Sequence, residues 1–251
     1  MSKFFKKIST HWRRIRNARR LGIPFTRRAS FRIPARVKLG AGFVNVHSNG
    51  EHGALIDFLM CLIEDGYGLD ALKETPSTIL DIGANQGFFA LAAGSFFPGA
   101  TIHCYEPNPR ILPILEQNAA PVRAGVFREA VGASEGTVFL EESGDSNQAR
   151  TTSVASGAAV PQVSLRTAIE RLGGRVDLAK IDCEGAEWEM FGDPEHWQAI
   201  RHLRMEYHLM KRHAFSEVHA HLLAFGFEVF HHESSCDWGT IWARRGVRPC
   251  K

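Results

Sequence analysis

A short apolar strand that runs directly into a glycine turn is the feature that most constrains how this chain can fold. Residues 79–87 read Ile-Leu-Asp-Ile-Gly-Ala-Asn-Gln-Gly. A chain that leaves a buried strand and at once begins a helix needs positive φ angles and room for a ligand near the backbone, and Gly83 and Gly87 supply both. A second strand, residues 101–105, ends in Glu106, 19 residues beyond Gly87. An acid at that distance can accept hydrogen bonds from both hydroxyls of a ribose, so the pair predicts a nucleoside-cofactor site.

The charge at the turn distinguishes two cofactor classes that share this geometry. Asp81 stands on the strand side of the turn, where the pyrophosphate of a nicotinamide cofactor needs amide donors without a competing carboxylate. S-adenosylmethionine has no phosphate and brings an ammonium and a sulfonium, which a carboxylate attracts. The spacing also departs from the G-x-G-x-x-G fingerprint, because Asn85 stands where its second glycine would be. We predict S-adenosylmethionine as the cofactor; a nicotinamide oxidoreductase and a turn with incidental glycines are the alternatives.

Strands and helices alternate along most of the chain. The pattern predicts helices at 88–97 and 110–118, and strands at 79–82, 101–105, 126–130, 178–181, 203–207, 227–231 and 240–243. This order requires a parallel sheet with crossover helices, and the last two strands form an antiparallel end. The predicted fold class is therefore α/β, with a doubly wound, Rossmann-like sheet of about seven strands.

The rest of the chain divides around this sheet. A small hairpin is predicted within 31–46 and a helix over 54–64. The alternation is interrupted around 133–175, where 137–141 predicts a strand and 143–157 has the composition of a loop, either a substrate-contacting lid or a plain surface segment. With 251 residues, the chain is long enough for one such domain with a short extension. We divide it into a basic arm (1–30), an N-terminal cover (31–75) and a cofactor-binding domain (76–251) that carries the insertion.

The N-terminal segment is strongly basic. Residues 1–50 contain 13 Lys or Arg and no Asp or Glu, whereas the remainder contains 17 basic and 27 acidic residues. Phe4, Ile8, Trp12 and Ile15 recur at helical spacing and predict a basic amphipathic helix. Such a helix can lie on an anionic membrane, bind nucleic acid or a protein partner, or remain a solvated arm.

Cysteine usage and the termini bear on the compartment. The five cysteines form no C-x-x-C pair and no regular spacing, which argues against a zinc site or a disulfide framework. No apolar run approaches the ~18 residues of a spanning helix, and the N-terminus has no secretory-signal pattern. We expect a cytoplasmic protein, with peripheral contact at the inner membrane face through the basic helix as an open possibility.

Four motifs resemble the FkbM-type S-adenosylmethionine-dependent methyltransferases. They are residues 81–87, residues 106–109 (Glu-Pro-Asn-Pro), residues 115–118 (Leu-Glu-Gln-Asn) and, most specifically, residues 177–187 (Asp-Leu-Ala-Lys-Ile-Asp-Cys-Glu-Gly-Ala-Glu). The acid-then-histidine ending of the strand at 203–207 is also similar. The resemblance covers about residues 76–245 and implies a class I methyltransferase fold and methyl transfer, usually to a hydroxyl of a sugar, glycan or polyketide-type product.

The resemblance also implies which residues form the site. It assigns the cofactor to a set at the ends of the first strands: Asp81, Gly83, Asn85, Gly87, Glu106, Glu129, Ala130 and Val131. Ligands of an open α/β sheet lie beyond the carboxyl ends of the strands, so the catalytic candidates are Asp182, Glu184, Glu206 and His208. Asp182 and His208 are the preferred bases for the acceptor hydroxyl, although Asp182 could instead cap the following helix. A divalent metal is compatible with these side chains, but nothing in their spacing requires one, so no metal ligands are assigned.

Two other functions remain open at this stage. A nucleic-acid methyltransferase would use the basic segment for phosphate contacts, but the strand ending at Asp182 lacks the Asn/Asp-Pro-Pro-aromatic motif that holds a flipped base, and the acidic body would repel a polyanion. We therefore expect a small-molecule or glycan acceptor and not a nucleic acid. A non-catalytic cofactor-binding or membrane-associated scaffold would tolerate the loss of Asp182 and His208.

Overall fold

A seven-stranded sheet organises the molecule. The computed structural model describes residues 3–25, 27–141, 150–152 and 157–246. The strands of the sheet are β3 (Thr78–Ile82), β4 (Thr101–Tyr105), β5 (Gly125–Phe127), β10 (Val176–Ile181), β11 (Ile200–His208), β12 (Phe227–Ser234) and β13 (Trp238–Arg245). Their order is β12-β13-β11-β10-β3-β4-β5, with β13 antiparallel to both of its neighbours and the remaining pairs parallel. This arrangement confirms the predicted doubly wound, Rossmann-like fold of class I methyltransferases.

Helices cover both faces of this sheet, as a parallel sheet requires. The helices of this domain are α3 (Phe88–Phe96), α4 (Leu112–Ala119), α5 (Leu165–Arg171), α6 (Glu187–Met190) and α7 (Phe215–Ala224). One apolar cluster joins α3, α4 and the N-terminal segment to one face of the sheet. A second cluster joins α5 to α7 with the other face, around the fully buried Trp197. Strands β3 and β10 are buried along almost their whole length, which explains their continuous apolar sequences.

The N-terminal segment packs against the domain. It comprises α1 (Lys3–Arg20), the hairpin of β1 (Arg36–Leu39) and β2 (Gly42–Asn45), and α2 (His52–Phe58), which continues into a π-helical turn at Leu59–Ile63. The sequence predicted both the β1–β2 hairpin, within 31–46, and a helix over 54–64, where α2 and the π-helical turn lie. The second half of α1 is integrated into the fold, because Ala18 and Leu21 are buried and Asn17 Nδ2 donates to the Ile63 carbonyl at 3.0 Å. Among the described residues, no helix is both long and apolar enough to cross a bilayer.

The predicted insertion contains more regular structure than its sequence indicated. The predicted strand at 126–130 is wrong as a single element, because β5 ends at Phe127 and the chain then enters a second, four-stranded sheet. That sheet contains β6 (Ala130–Gly132), β7 (Gly136–Glu141), β8 (Arg150–Thr152) and β9 (Ala158–Ser164) in the order β6-β9-β7-β8. The prediction of a loop over 143–157 is wrong for β8, and residues 142–149 and 153–156 lie outside the described ranges.

Candidate active site

A cavity of about 580 Å³ opens at the carboxyl-terminal edge of the central sheet. Ten of the twelve residues that the sequence assigned to the site line it: Gly83, Asn85, Glu106, Glu129, Ala130, Val131, Asp182, Glu184, Glu206 and His208. Most of them lie at or just beyond the carboxyl ends of β3, β4, β5, β10 and β11, so the cavity runs across the sheet edge from β5 to β11. We call the part near Glu106 and Glu129 the adenosyl end, and the part near Asp182, Glu184, Glu206 and His208 the acceptor end.

The adenosyl end is built around Glu106, which is 7% exposed. Its Oε2 accepts from the backbone N–H of Asn85 at 2.9 Å, and its Oε1 accepts from the backbone N–H of Asn108 at 2.9 Å. Burial raises the pKa of this carboxyl to about 7, although the two amides oppose the shift. An ionised carboxylate keeps lone pairs available beyond these two bonds, so Glu106 fits the role of a diol acceptor. Beside it, Glu129 is already bound by Arg171.

The turn at Gly83 allows two strands to approach each other at the cavity floor. Gly83 has φ = +72°, and a Cβ at this position would lie 1.8 Å from the Asp182 carbonyl oxygen. A side chain here would therefore separate the ends of β3 and β10. Gly87 has φ = +82°, but its Cβ would meet the Leu115 side chain at 2.9 Å, and Gly87 does not line the cavity. Gly87 therefore allows the close contact between α3 and α4, and its predicted contact with the cofactor stays a prediction.

Asp81 also lies outside the cavity, and this corrects the argument by which the sequence favoured the methyl donor. The side chain is fully buried, and its Oδ1 lies 3.3 Å from Lys180 Nζ. Burial raises the pKa of Asp81, while Lys180 opposes that shift. Lys180 Nζ is also 3.7 Å from Asp182 Oδ2, and it donates to the Gly83 carbonyl. Asp81 thus positions a buried lysine beneath the glycine turn and does not line the cavity.

His208 is the centre of the acceptor end. It is 8% exposed, and its Nε2 lies 3.4 Å from Glu184 Oε2 and 3.6 Å from Glu206 Oε1. On its other side, the fully buried Glu187 accepts from the His208 backbone N–H at 2.6 Å and lies 3.3 Å from Nδ1. Glu187 therefore holds the Nδ1 side of the ring, and Nε2 lies beside the two acids that line the cavity.

The charge state of His208 follows from these neighbours. Burial disfavours the imidazolium, but the hydrogen bond to Glu187 and the charge of Glu184 outweigh it and raise the pKa of His208 to about 9. The ring is therefore mostly protonated at pH 7. Burial, and next the charge of Asp182, raise the pKa of the Glu206 carboxyl.

Asp182 faces the cavity and does not cap a helix. Helix α6 begins only at Glu187, with Ala186 as its N-cap residue, so the predicted capping role is wrong. Instead, Asp182 Oδ2 accepts from the Tyr67 hydroxyl at 3.0 Å and lies near Lys180. The Asp182 side chain is thereby held on one side by Lys180 of β10 and on another by Tyr67 of the N-terminal segment.

A metal ion is compatible with part of this arrangement. One ligand atom each of Asp182, Glu184 and His208 lies within 4.8 Å of the others. Carboxylate oxygens with one imidazole nitrogen form a donor set that several divalent ions accept. These three residues are the ones that would hold such an ion.

Sequence reasoning missed several residues that shape the cavity. Asp57 and Trp238 line its wall, Tyr67 and Lys180 hold Asp182, and Glu187 holds His208. Two of them, Asp57 and Lys180, have a sequence feature that indicates a functional site. Asp57 is the single charge in the apolar run 54–63, and Lys180 interrupts an apolar buried strand. An ionisable residue within an apolar segment is costly unless it is paired, which marks it for a site.

The sequence is similar to those of known methyltransferases. A family model described as "Methyltransferase FkbM domain" matches residues 81–229, more than half of the chain. Methyltransferase sdnD of Sordaria araneosa is 29% identical over 180 residues, which cover 56% of this chain and 69% of that protein.

Two solved structures are similar to most of this chain. A ribosomal protein L11 methylase from Lactobacillus delbrueckii subsp. bulgaricus is 13% identical, with a TM-score of 0.45, over 78% of this chain and 81% of that chain. Fibrillarin from Aeropyrum pernix, solved with S-adenosyl-L-methionine, is 15% identical, with a TM-score of 0.44, over 70% of this chain and 71% of that chain.

Proposed function

The chain belongs to the FkbM methyltransferase family and is an S-adenosylmethionine-dependent methyltransferase, and from that premise we propose that it methylates a hydroxyl oxygen of a sugar, glycan or other natural-product acceptor. The bound cofactor would supply an electrophilic methyl group on its sulfonium. The observation that carries the proposal is the convergence of Glu184 and Glu206 on His208 Nε2 in the cavity wall.

The acceptor end has the chemistry of a polyol site. Carboxylates accept hydrogen bonds from hydroxyl groups, and Asp182, Glu184 and Glu206 line one wall of the cavity. Trp238 lines the same cavity and is 44% exposed, so its ring offers an apolar face beside these acceptors. A ligand with several hydroxyls and an apolar ring face fits this combination.

His208 is the residue that we assign as the base. A hydroxyl becomes a good nucleophile only as its proton leaves, and a base must lie within hydrogen-bonding reach of that proton. The raised pKa means that only the neutral fraction of His208 can accept it, and this fraction grows as the pH approaches 9. A cation bound beside the ring would lower the pKa of His208, because like charges disfavour the imidazolium. Glu184 and Glu206 then orient the acceptor.

The test is a survey of acceptors with identification of the methylated atom. Purified protein with S-adenosylmethionine is assayed against oligosaccharides, lipid-linked glycans, polyketide-type alcohols, amines, DNA and RNA, and formation of S-adenosylhomocysteine is measured. We expect turnover with a hydroxyl acceptor and an O-methyl signal in the NMR spectrum of the product. His208→Gln should reduce turnover by about 10²-fold or more without changing S-adenosylhomocysteine affinity. Turnover only with amines or nucleic acid would overturn the assignment.

The partner of the N-terminal surface is a further part of the proposal: peripheral contact with an anionic membrane on the cytoplasmic side. Support comes from exposed side chains of the first 50 residues, namely Arg16, Arg19, Arg27, Arg28, Arg32, Arg36 and Lys38. Trp12 and Phe43 of the same segment are 63% and 52% exposed. Basic side chains near exposed aromatic rings favour a negatively charged interface.

This contact is best tested by charge reversal. Deleting the first 30 residues would remove the buried Ala18 and Leu21 and expose the apolar core that they pack against, so Arg19→Glu with Arg27→Glu is the cleaner change. We expect the full chain to sediment with vesicles that contain phosphatidylserine and the double variant to remain in solution. Equal partitioning of the two proteins, or binding to nucleic acid in place of vesicles, contradicts the membrane contact.

A further inference from the structure

The N-terminal segment forms one wall of the cavity, although it lies outside the 81–229 match to the methyltransferase family. Asn85 Nδ2 in the glycine turn donates to Asp57 Oδ2 at 2.5 Å, and Gln86 Nε2 donates to Asn49 Oδ1 at 2.9 Å. The Tyr67 hydroxyl reaches Asp182. Three separate side-chain contacts therefore fix this segment to the two strand ends that line the cavity.

Asp57 brings a carboxylate to this junction. It lies on α2, lines the main cavity, and also lines a small adjoining pocket behind the glycine turn together with Gly83, Asn85 and Asp182. The hydrogen-bond partner of its carboxylate is the neutral Asn85 amide, and the nearby Lys180 already lies close to Asp81 and Asp182. Burial, and then the charge of Asp182, raise the pKa of Asp57 to about 7. A cation placed beside Asp57 would relieve this unfavourable burial of charge.

The order of the strands shows which part of the cofactor meets Asp57. Glu129 follows β5, Glu106 follows β4, Gly83 follows β3 and Asp182 follows β10, and these strands are neighbours in that order. With the ribose on Glu106 and the adenine toward Glu129, the amino-acid arm of the cofactor extends in the opposite direction, toward Gly83 and Asp182. The small pocket at that end contains neither Glu106 nor Glu129.

We propose that Asp57 binds the α-ammonium of the methionine part of the cofactor, so that the N-terminal segment completes the cofactor site. The inference rests on the proposed function. The carboxylate of Asp57 accepts from the ammonium, while Asn85 holds the other face of the same carboxylate in place. The contacts that hold the N-terminal segment against the glycine turn therefore also position a residue that binds the cofactor.

Two ligands that differ in the amino-acid arm provide the test. S-adenosylhomocysteine carries the arm, whereas 5′-deoxy-5′-methylthioadenosine keeps the adenosyl group and lacks the arm. Both are titrated calorimetrically into the full chain and into Asp57→Asn, with Asp70→Asn in the same segment as the matched control. We expect Asp57→Asn to weaken S-adenosylhomocysteine by about tenfold to a hundredfold, because a charge-assisted bond is lost, and to leave methylthioadenosine unchanged. Asp70→Asn should leave both affinities unchanged.

A change in the ligand separates contact from indirect damage. Removing the amino group from S-adenosylhomocysteine should weaken binding to the wild type and have little further effect on Asp57→Asn, because the two changes delete the same bond. Equal weakening of both adenosyl ligands by Asp57→Asn, or an unchanged affinity for S-adenosylhomocysteine, would overturn the role of Asp57. If neither adenosyl ligand binds the wild type, the proposed function itself fails, and that outcome is distinct from the other two.

Discussion

The two ends of the cavity hold their carboxylates in different ways. At the adenosyl end, two backbone amides fix Glu106, so its position follows from the path of the main chain. At the acceptor end, Glu184 and Glu206 face His208 through side chains alone. Glu106 therefore keeps its position as long as the backbone is folded. The arrangement of Glu184, Glu206 and His208 depends in addition on which of these three side chains are charged.

This difference predicts two separate pH windows. The pKa of Glu106 is raised to about 7, and that of His208 is raised to about 9. Cofactor affinity should therefore fall as the pH drops below 7, because a protonated Glu106 loses acceptor capacity. Turnover should rise from neutral pH toward 9, because neutral His208 accumulates there.

The largest effect is expected where the two ends meet, at Gly83. Gly83→Ala places a Cβ 1.8 Å from the Asp182 carbonyl oxygen at a residue with φ = +72°. We expect the free energy of unfolding to fall by about 3 kcal/mol or more, with loss of binding at both ends. Urea denaturation and calorimetry measure the two losses. Gly136→Ala is the control, because a Cβ at that position would have no heavy atom within 4 Å, and it should cost less than about 0.5 kcal/mol.

The next largest effect concerns the adenosyl end alone. Glu106→Gln removes the negative acceptor for two ribose hydroxyls, and methylthioadenosine affinity should fall by about 10²-fold at pH 8. In the wild type, this affinity should also decline below pH 7 as Glu106 becomes protonated, and the variant should lose that decline. Calorimetric titration from pH 5.5 to 8.5 measures both. A steep decline that persists in Glu106→Gln would assign the titration to another group.

The two ends of the cavity also differ in how well the sequence predicts them. Glu106 could be assigned because a strand, a glycine turn and an acid at fixed spacing are local features of the chain. Asp81 belongs to the same local motif and was misplaced, because the sequence does not show that Lys180, on the neighbouring strand β10, turns its carboxylate away from the cavity.

The acceptor end was predicted less completely because its partners are distant in sequence. Strand ends give Asp182, Glu206 and His208, but the packing that brings Tyr67 to Asp182 spans 115 residues. The contact between His208 and Glu187 is also non-local, because 21 residues separate them along the chain. In the insertion, short strands such as β8 lie in Ser- and Thr-rich sequence and form only by pairing with β7.

At the acceptor end, a smaller effect is expected from Glu187→Gln. Without the buried anion, the pKa of His208 should fall, so the rising limb of the turnover–pH profile should move at least one unit toward lower pH. Turnover at pH 9 should fall by about tenfold because the ring is less well fixed. A pH–rate profile over 6 to 10 measures the shift, and an unmoved limb would remove His208 from the proton transfer.

The contact between His208 and Glu187 should also affect the free energy of unfolding. The direction of the pKa shift of His208 determines at which pH the contact stabilises the fold. The pKa of His208 in the folded protein lies above its ordinary value of 6.5, so the pair stabilises the fold fully below pH 6.5. This contribution is lost as the pH rises through about 9. Urea midpoints of wild type and Glu187→Gln should therefore differ more at pH 6 than at pH 9.5. A difference that does not narrow at high pH would show that Glu187 acts through packing alone.

The smallest expected effect tests whether the acceptor end recognises a ring face. Trp238→Ala removes the half-exposed indole from the cavity wall, and the acceptor KM should rise by about threefold to tenfold, as the loss of one aromatic contact predicts. S-adenosylhomocysteine affinity should stay the same, because Trp238 follows β12 and lies away from Glu106. Phe230→Ala is the matched control, since Phe230 is also 44% exposed but does not line the cavity. An equal rise in the acceptor KM of both variants would contradict a direct contact between Trp238 and the acceptor. It would show instead that the β12–β13 pair as a whole supports the acceptor end of the cavity.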